Sequence, residues 1–266
     1  MPSRHFVQID IDPMQLGRNY PVSVGVVGAA GRVLAEIGER LAAVERAPRR
    51  FGVLTHEDPA LVGPGAGRRI TPHRALWELQ QILPRDTRYS CDIGEHLLFA
   101  THYLAIDDPQ GFMIMTGLAS MGSGIGSAIG IKLADPRRTG ARVCGDGCFA
   151  MAMGDLSTAA QQRLPIVIAV LNDERYGMVE IGHQAVFGRR PPYPTGPMNI
   201  PELARALGAY AVVASRAGDI LALDLEAALA QGPVVIDIRI DREARMPKNK
   251  RNEALSVAIG RDRLLN

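Results

Sequence analysis

Two apolar runs in this chain end in acidic turns, and that pairing limits the possible folds more than any other feature. The first, Arg142-Val143-Cys144, runs into Gly145-Asp146-Gly147-Cys148; the second, residues 166–171, runs into Asn172-Asp173. The segment between them is helix-like, so the unit reads as strand, helix, strand, the connection that joins parallel strands. Both carboxylates then lie at the carboxyl edge of one parallel sheet, where ligands bind. Two carboxylates beside a glycine turn suit a hard cation such as Mg2+, which keeps an octahedral oxygen shell and usually bridges to a phosphate. Gly145 and Gly147 let the backbone turn sharply towards that phosphate, and the following helix N-terminus favours its charge. The plainer alternative is a pair of loop aspartates that cap turns.

The rest of the chain alternates in the same way. Residues 5–12 alternate apolar and polar like a strand, residues 22–27 form a second strand, and residues 31–44 show helical spacing. Residues 47–70 lose periodicity and are dense in proline and glycine, as a linker is. Thr71 then caps a helix with Pro72 at its first position and Leu76, Leu79 and Ile82 on its apolar face. Strands are expected at 88–93, 113–115, 142–144, 165–171, 211–214 and 233–240, and helices at 97–104, 127–133, 201–207 and 220–229. This is the pattern of a doubly wound, mostly parallel α/β sheet covered on both faces.

Composition narrows the class. The chain has 266 residues and a net charge of +2, with no interleaved basic and aromatic patch, so no nucleic-acid partner is expected. No apolar run approaches the length of a membrane span, and the first residues lack the apolar core of a secretory signal. Cys91, Cys144 and Cys148 form no Cys-x-x-Cys pair and read as reduced thiols of a cytoplasmic protein. The basic cluster Arg245, Lys248, Lys250 and Arg251 reads as a solvated tail. Gly122-Ser123-Gly124 begins a dinucleotide fingerprint, but Ser127 breaks it.

Gly145-Asp146-Gly147, followed after the span 148–171 by Asn172-Asp173, resembles the thiamin-diphosphate motif Gly-Asp-Gly…Asn-Asn, with aspartate at the last position. Ile9-Asp10-Ile11-Asp12-Pro13 and Gly17-Arg18-Asn19-Tyr20-Pro21-Val22 resemble the closing strands of the middle domain in acetolactate-synthase-like thiamin enzymes. The resemblance runs almost to the C-terminus. It implies a fragment of a nucleotide-type middle domain at 1–46, a linker at 47–70, a thiamin-diphosphate-binding domain at 71–241, and a charged tail at 242–266. The pyrimidine-binding domain lies outside this chain.

The resemblance also implies site residues. Asp146, Asp173 and the main-chain carbonyl of Arg175, whose side chain is not expected to matter, would hold Mg2+. Gly94, Glu95 and His96 would face the diphosphate, His96 as a donor; Glu95 fits less easily beside an anion, and an ordinary polar helix start is the alternative. Ala119 would offer its carbonyl to the aminopyrimidine, and Met121 would support the bent cofactor. Gly145, Gly147, Cys148, Tyr176, Gly177 and Met178 complete the cofactor set.

Val179 stands where decarboxylating relatives carry a catalytic glutamate, as in the carboligases, and Gly182 stands where carboligases often carry a tryptophan that narrows the acceptor pocket. His183 has no assigned role, and Arg189 and Arg190 lie in a loop that could clamp an anion or be simply solvated. No catalytic residue is assigned. The activating glutamate belongs to a partner, because Glu57 lies in the linker and Glu36 on a helix. The implied function is the diphosphate-binding subunit of a split carboligase that decarboxylates a 2-ketoacid and transfers the aldehyde to a carbonyl acceptor. A partner chain would supply the pyrimidine-binding domain and most of the middle domain, in a heterotetramer. The alternatives are a decarboxylase or lyase that releases an aldehyde, a non-catalytic cofactor-binding homologue, and a truncated piece of a full-length enzyme. Some relatives keep FAD; the middle-domain fragment is too short to support it here.

Overall fold

The computed structural model describes residues 5–42, 69–244 and 247, and contacts divide the chain into two units, Met1–Thr55 and His56–Asn266. In the first unit β1 (Val7–Asp10) and β2 (Val24–Val27) pair in parallel, with Val7 opposite Val24, and α1 (Ala30–Ala42) follows. Asp12 caps the 3-10 turn Pro13–Gln15 that separates the strands. No residue of β1, β2 or α1 is buried, and Val24, Val27, Leu34, Ile37 and Leu41 are exposed. Two strands and one helix enclose too little to form a core.

The second unit opens with α2 (Pro72–Ile82), β3 (Arg88–Cys91), α3 (Glu95–Tyr103), β4 (Phe112–Ile114) and α4 (Gly124–Ala134). It continues through β5 (Gly140–Gly145), α5 (Asp146–Ala152), α6 (Leu156–Gln161), β6 (Ile166–Asn172) and α7 (Gly177–Phe187). It closes with α8 (Ile200–Ala206), β7 (Tyr210–Ala214), α9 (Leu225–Leu229) and β8 (Val234–Arg239). The six strands lie in the order β4-β3-β5-β6-β8-β7, all parallel. This is the doubly wound α/β sheet that the sequence pattern predicts.

Strand β6 shows why both faces are covered. Val167, Ala169 and Leu171 enter a core with Leu76 and Leu79 of α2 and Phe99 of α3. Ile166, Ile168 and Val170 enter a second core with Ile125 of α4, Phe149 of α5 and Ile200 of α8. A strand apolar at every position can only be buried on both sides. Thr71 caps α2 as expected. The helix predicted over 220–229 is shorter: Asp224 accepts from the Ala227 N–H and starts it at Leu225, while Ile220 packs into the core from a turn. Ile70, assigned to the linker, is fully buried and bridges Ile240.

One polar pair crosses this apolar interior. Arg142, in the middle of β5, and Asp92, just beyond β3, are both fully buried and joined through Nη2 and Oδ2. The other Asp92 oxygen accepts from the Gly124 N–H at 3.0 Å and from the Ser123 hydroxyl at 3.3 Å, which fixes the start of α4.

Removing one partner of a buried pair strands the other charge without water. Arg142→Met is expected to lower the unfolding free energy by about 3–5 kcal/mol. The midpoint of urea unfolding reads this directly, and a loss below about 1 kcal/mol would remove the pair from any structural role.

Candidate functional site

The chain leaves β3 for β4 on one side of the sheet and returns to β5 on the other. That reversal opens a crevice at the carboxyl ends of β3 and β5, the position where open α/β sheets bind ligands. A cavity of about 250 Å³ lies there. Gly94, Glu95 and His96 line it from the start of α3, and Gly145, Asp146, Gly147 and Cys148 from the start of α5. Asp173, Arg175, Tyr176, Gly177 and Met178 enter from the end of β6 and the start of α7, and Ala119 and Met121 from the loop before α4. The structure therefore places every residue of the expected set on one cavity wall.

Helices α3, α5 and α7 begin at this wall with no side-chain hydrogen bond at their N-caps, Gly94, Gly145 and Tyr176. Thr71 caps α2, whose Pro72 also lines the cavity, and Asn199 and Asp224 cap α8 and α9, while α4 and α6 have no side-chain hydrogen bond at their N-caps either. First-turn N–H groups without a capping side chain, together with the helix dipoles, suit an anion. A Cβ at Gly147 would lie 2.5 Å from the Tyr176 ring, so that turn accepts only glycine without a shift of the tyrosine.

The acids stand at the same helix starts, Asp146 as the first residue of α5 and Asp173 just before α7. Asp146 is nearly buried, and its Oδ2 accepts from the Thr195 hydroxyl at 2.5 Å. Burial, and then the charge of Asp173, push its carboxyl up to about 6. Asp173 is buried too, and its pKa is raised by desolvation although Arg175 Nε donates to Oδ2 at 2.7 Å. Among the described residues no three His, Cys, Asp or Glu side chains are grouped to hold an ion. An ion here would draw on these two carboxylates, on carbonyls, and on oxygens of the bound anion. Two buried carboxyls that resist ionisation are a donor set that a divalent cation would satisfy.

The turn that carries Asp173 is held from below. Asn172 donates to Asp237 of β8 at 2.8 Å, and its Oδ1 accepts from the Glu174 N–H at 3.1 Å. Glu174 can then keep a left-handed φ of 61°. Ala119 is held in the same region, at φ 53°.

Three expectations change. The His96 ring is buried and its pKa is pushed down to about 4, chiefly by desolvation. In the neutral tautomer that pairs Nε2 with the Asp92 carbonyl at 3.1 Å, Nδ1 is only an acceptor. Donation to a phosphate then falls to the main chain of His96. Glu95 is brought into the cavity with Oε2 buried and without a hydrogen-bond partner. Burial, and then Asp173, raise it to about 7, and a protonated carboxyl can stand beside an anion. The Arg175 side chain, expected to be incidental, is buried against Asp173 and Glu180.

Sequence reasoning did not find Thr195, which is brought to Asp146 by an antiparallel bridge between Arg175 and Pro194. It also missed Arg242, which donates to the Asp173 carbonyl at 2.6 Å. His183 stays off the cavity wall, bonded to the Arg189 carbonyl at 3.0 Å, with its ring tilted against those of Phe187 and Tyr193. Burial also holds the Cys148 thiol protonated, pushing it up to about 11.

Comparison with known proteins agrees with this geometry. Residues 92–238 match the family described as thiamine pyrophosphate enzyme, C-terminal TPP binding domain. The chain is 30% identical over 253 residues to the thiamine pyrophosphate-containing protein YdaP of Bacillus subtilis, covering 91% of this chain and 43% of that one. It is 32% identical over 251 residues to an acetolactate synthase of Arthrospira platensis, with the same two shares. It thus spans less than half the length of these relatives. A thiamine diphosphate-dependent 4-hydroxybenzoylformate decarboxylase of Rhodococcus jostii shares the fold with a TM-score of 0.75 at 21% identity, over 89% of this chain and 44% of that one.

The raised carboxyl of Asp146 gives a pH signature. Below about pH 4 it is neutral in both the folded and unfolded chain. As pH rises through about 6 the folded form must ionise it at a cost, so its contribution to stability is lost. Without metal, Asp146→Asn is expected to stabilise the protein at pH 7.5 by on the order of 2–3 kcal/mol, with the gain gone at pH 4. Thermal unfolding of both proteins at the two pH values measures it; a gain that persists at pH 4 would contradict the assignment.

Proposed function

The chain belongs to the thiamine pyrophosphate enzymes through their C-terminal TPP binding domain, and on that footing we propose that it is the diphosphate- and Mg2+-binding subunit of a split, acetolactate-synthase-like carboligase. The observation that carries this reading is that the starts of α3, α5 and α7, without capping side chains, and the carboxyls of Asp146 and Asp173 line one cavity. Amide donors and carboxylates around one cavity form a receptor for an anion bridged to a cation.

When bound, thiamin diphosphate supplies the electron sink for decarboxylating a 2-ketoacid and passing the aldehyde unit to a carbonyl acceptor. The chain's own part is to bind and orient. Asp146, Asp173 and the Arg175 carbonyl hold the cation. Main-chain N–H groups at Glu95, His96, Gly147 and Gly177 hold the diphosphate. Ala119, fixed in its left-handed conformation, presents its carbonyl to the pyrimidine side, and Met121 fills the space beneath. Val179 lines the cavity with an apolar surface, which gives no proton-transfer group at that place and favours carboligation over aldehyde release.

A partner polypeptide supplies the pyrimidine-binding domain with its activating glutamate, together with most of the middle domain. Two features support this. The apolar surface of the first unit encloses no core of its own. Leu118, beside Ala119, is 95% exposed and Met115 is 51% exposed, so the pyrimidine side of the loop presents apolar surface to solvent.

Calorimetric titration tests the reading. Thiamin diphosphate is expected to bind in millimolar Mg2+ and to lose affinity when the metal is chelated. Asp146→Ala should weaken binding by on the order of 100-fold or more. Turnover of a 2-ketoacid should appear only when the pyrimidine-domain partner is added, and product analysis with an acceptor aldehyde present separates carboligation from aldehyde release. Binding that ignores both metal and Asp146 would end the proposal.

A further inference from the structure

We infer that the Arg175 side chain is a built-in counter-ion to Asp173, which sets the balance between binding a bare divalent cation and binding the cation with its diphosphate. The inference rests on the cation-site reading above and adds a role for a side chain that no comparison assigns.

The geometry is specific. Arg175 Nε donates to Asp173 Oδ2 at 2.7 Å, Nη1 donates to Glu180 Oε1 at 3.3 Å, and Nη2 donates to the Arg242 carbonyl. Arg190 Nε holds the same Glu180 oxygen at 2.5 Å. Arg175, Asp173 and Glu180 are all buried. All three guanidinium nitrogens are engaged, so the planar fork is locked in one orientation with its charge against Asp173. A lysine ammonium could not make these three divergent contacts.

Charge explains why the site needs this. Asp146 and Asp173 are the two carboxylates read as cation ligands; Glu95, Asp241 and Arg242 line the same cavity. Arg175 places one positive charge directly against Asp173 and so offsets that carboxylate. A bare divalent cation would be held more tightly by two uncompensated carboxylates. A cation–diphosphate unit carries excess negative charge and would be repelled by them. Removing Arg175 should therefore move the two affinities in opposite directions. Loss of a merely structural contact would move both the same way.

The test uses the full chain, with Mn2+ alone and thiamin diphosphate in saturating Mg2+ as the two calorimetric probes. Arg175→Met is expected to tighten Mn2+ binding about ten-fold and weaken Mg2+–thiamin diphosphate binding about ten-fold. Arg175→Lys keeps the positive charge without the planar fork and should hold both affinities closer to the parent than Arg175→Met does. Thermal unfolding confirms that each variant is folded. If Arg175→Met weakens both probes together, or Arg175→Lys is no better than Arg175→Met, the counter-ion role is wrong while the cofactor site stands. If the parent chain binds neither probe, the site reading and this inference fall together.

Discussion

Negative charge held out of water at the ends of β5 and β6 is the constraint on which the site depends. A buried carboxylate is costly unless it is paired or binds a metal. Here the fold supplies part of the compensation: the Thr195 hydroxyl for Asp146, and the Arg175 guanidinium for Asp173. Both pKa values stay raised, so the compensation is incomplete. On the proposed function, that surplus draws a cation and the helix starts around it draw an anion, and a metal–diphosphate unit would meet both needs.

Asp92 joins this receptor to the rest of the sheet. Its carboxylate takes Arg142 from β5 and the N-terminus of α4, while its carbonyl takes His96 of α3. One residue thus ties the two strands on either side of the crevice to the loop that carries Ala119 and Met121. A buried ion pair thus joins the start of α3 to the start of α4. Such a pair adds little net stability, but it cannot be broken without leaving a charge stranded.

The first unit obeys different physics. Its strands pair in parallel and its helix is amphipathic, yet none of these elements buries a residue. Parallel strands are normally covered on both faces. Its described strands and helix leave apolar side chains such as Val24, Val27 and Leu34 exposed.

The sequence alone determined the alternation of elements, the parallel sheet and the acidic turns at its edge. Those follow from residue period and from glycine and proline punctuation, which act over a few neighbours. Arg142 carried a readable warning, since a charge inside a strand buried on both sides must have a partner, but its identity as Asp92 depended on the register of β3 beside β5. The start of α9 at Asp224 was legible in principle as a cap and was obscured by the apolar residues before it. Thr195 against Asp146, the orientation of the His96 ring and the engagement of the Arg175 side chain belong to the tertiary structure only. Each depends on groups far apart in the chain, or on which tautomer and rotamer the packed surroundings permit, and no local pattern records that.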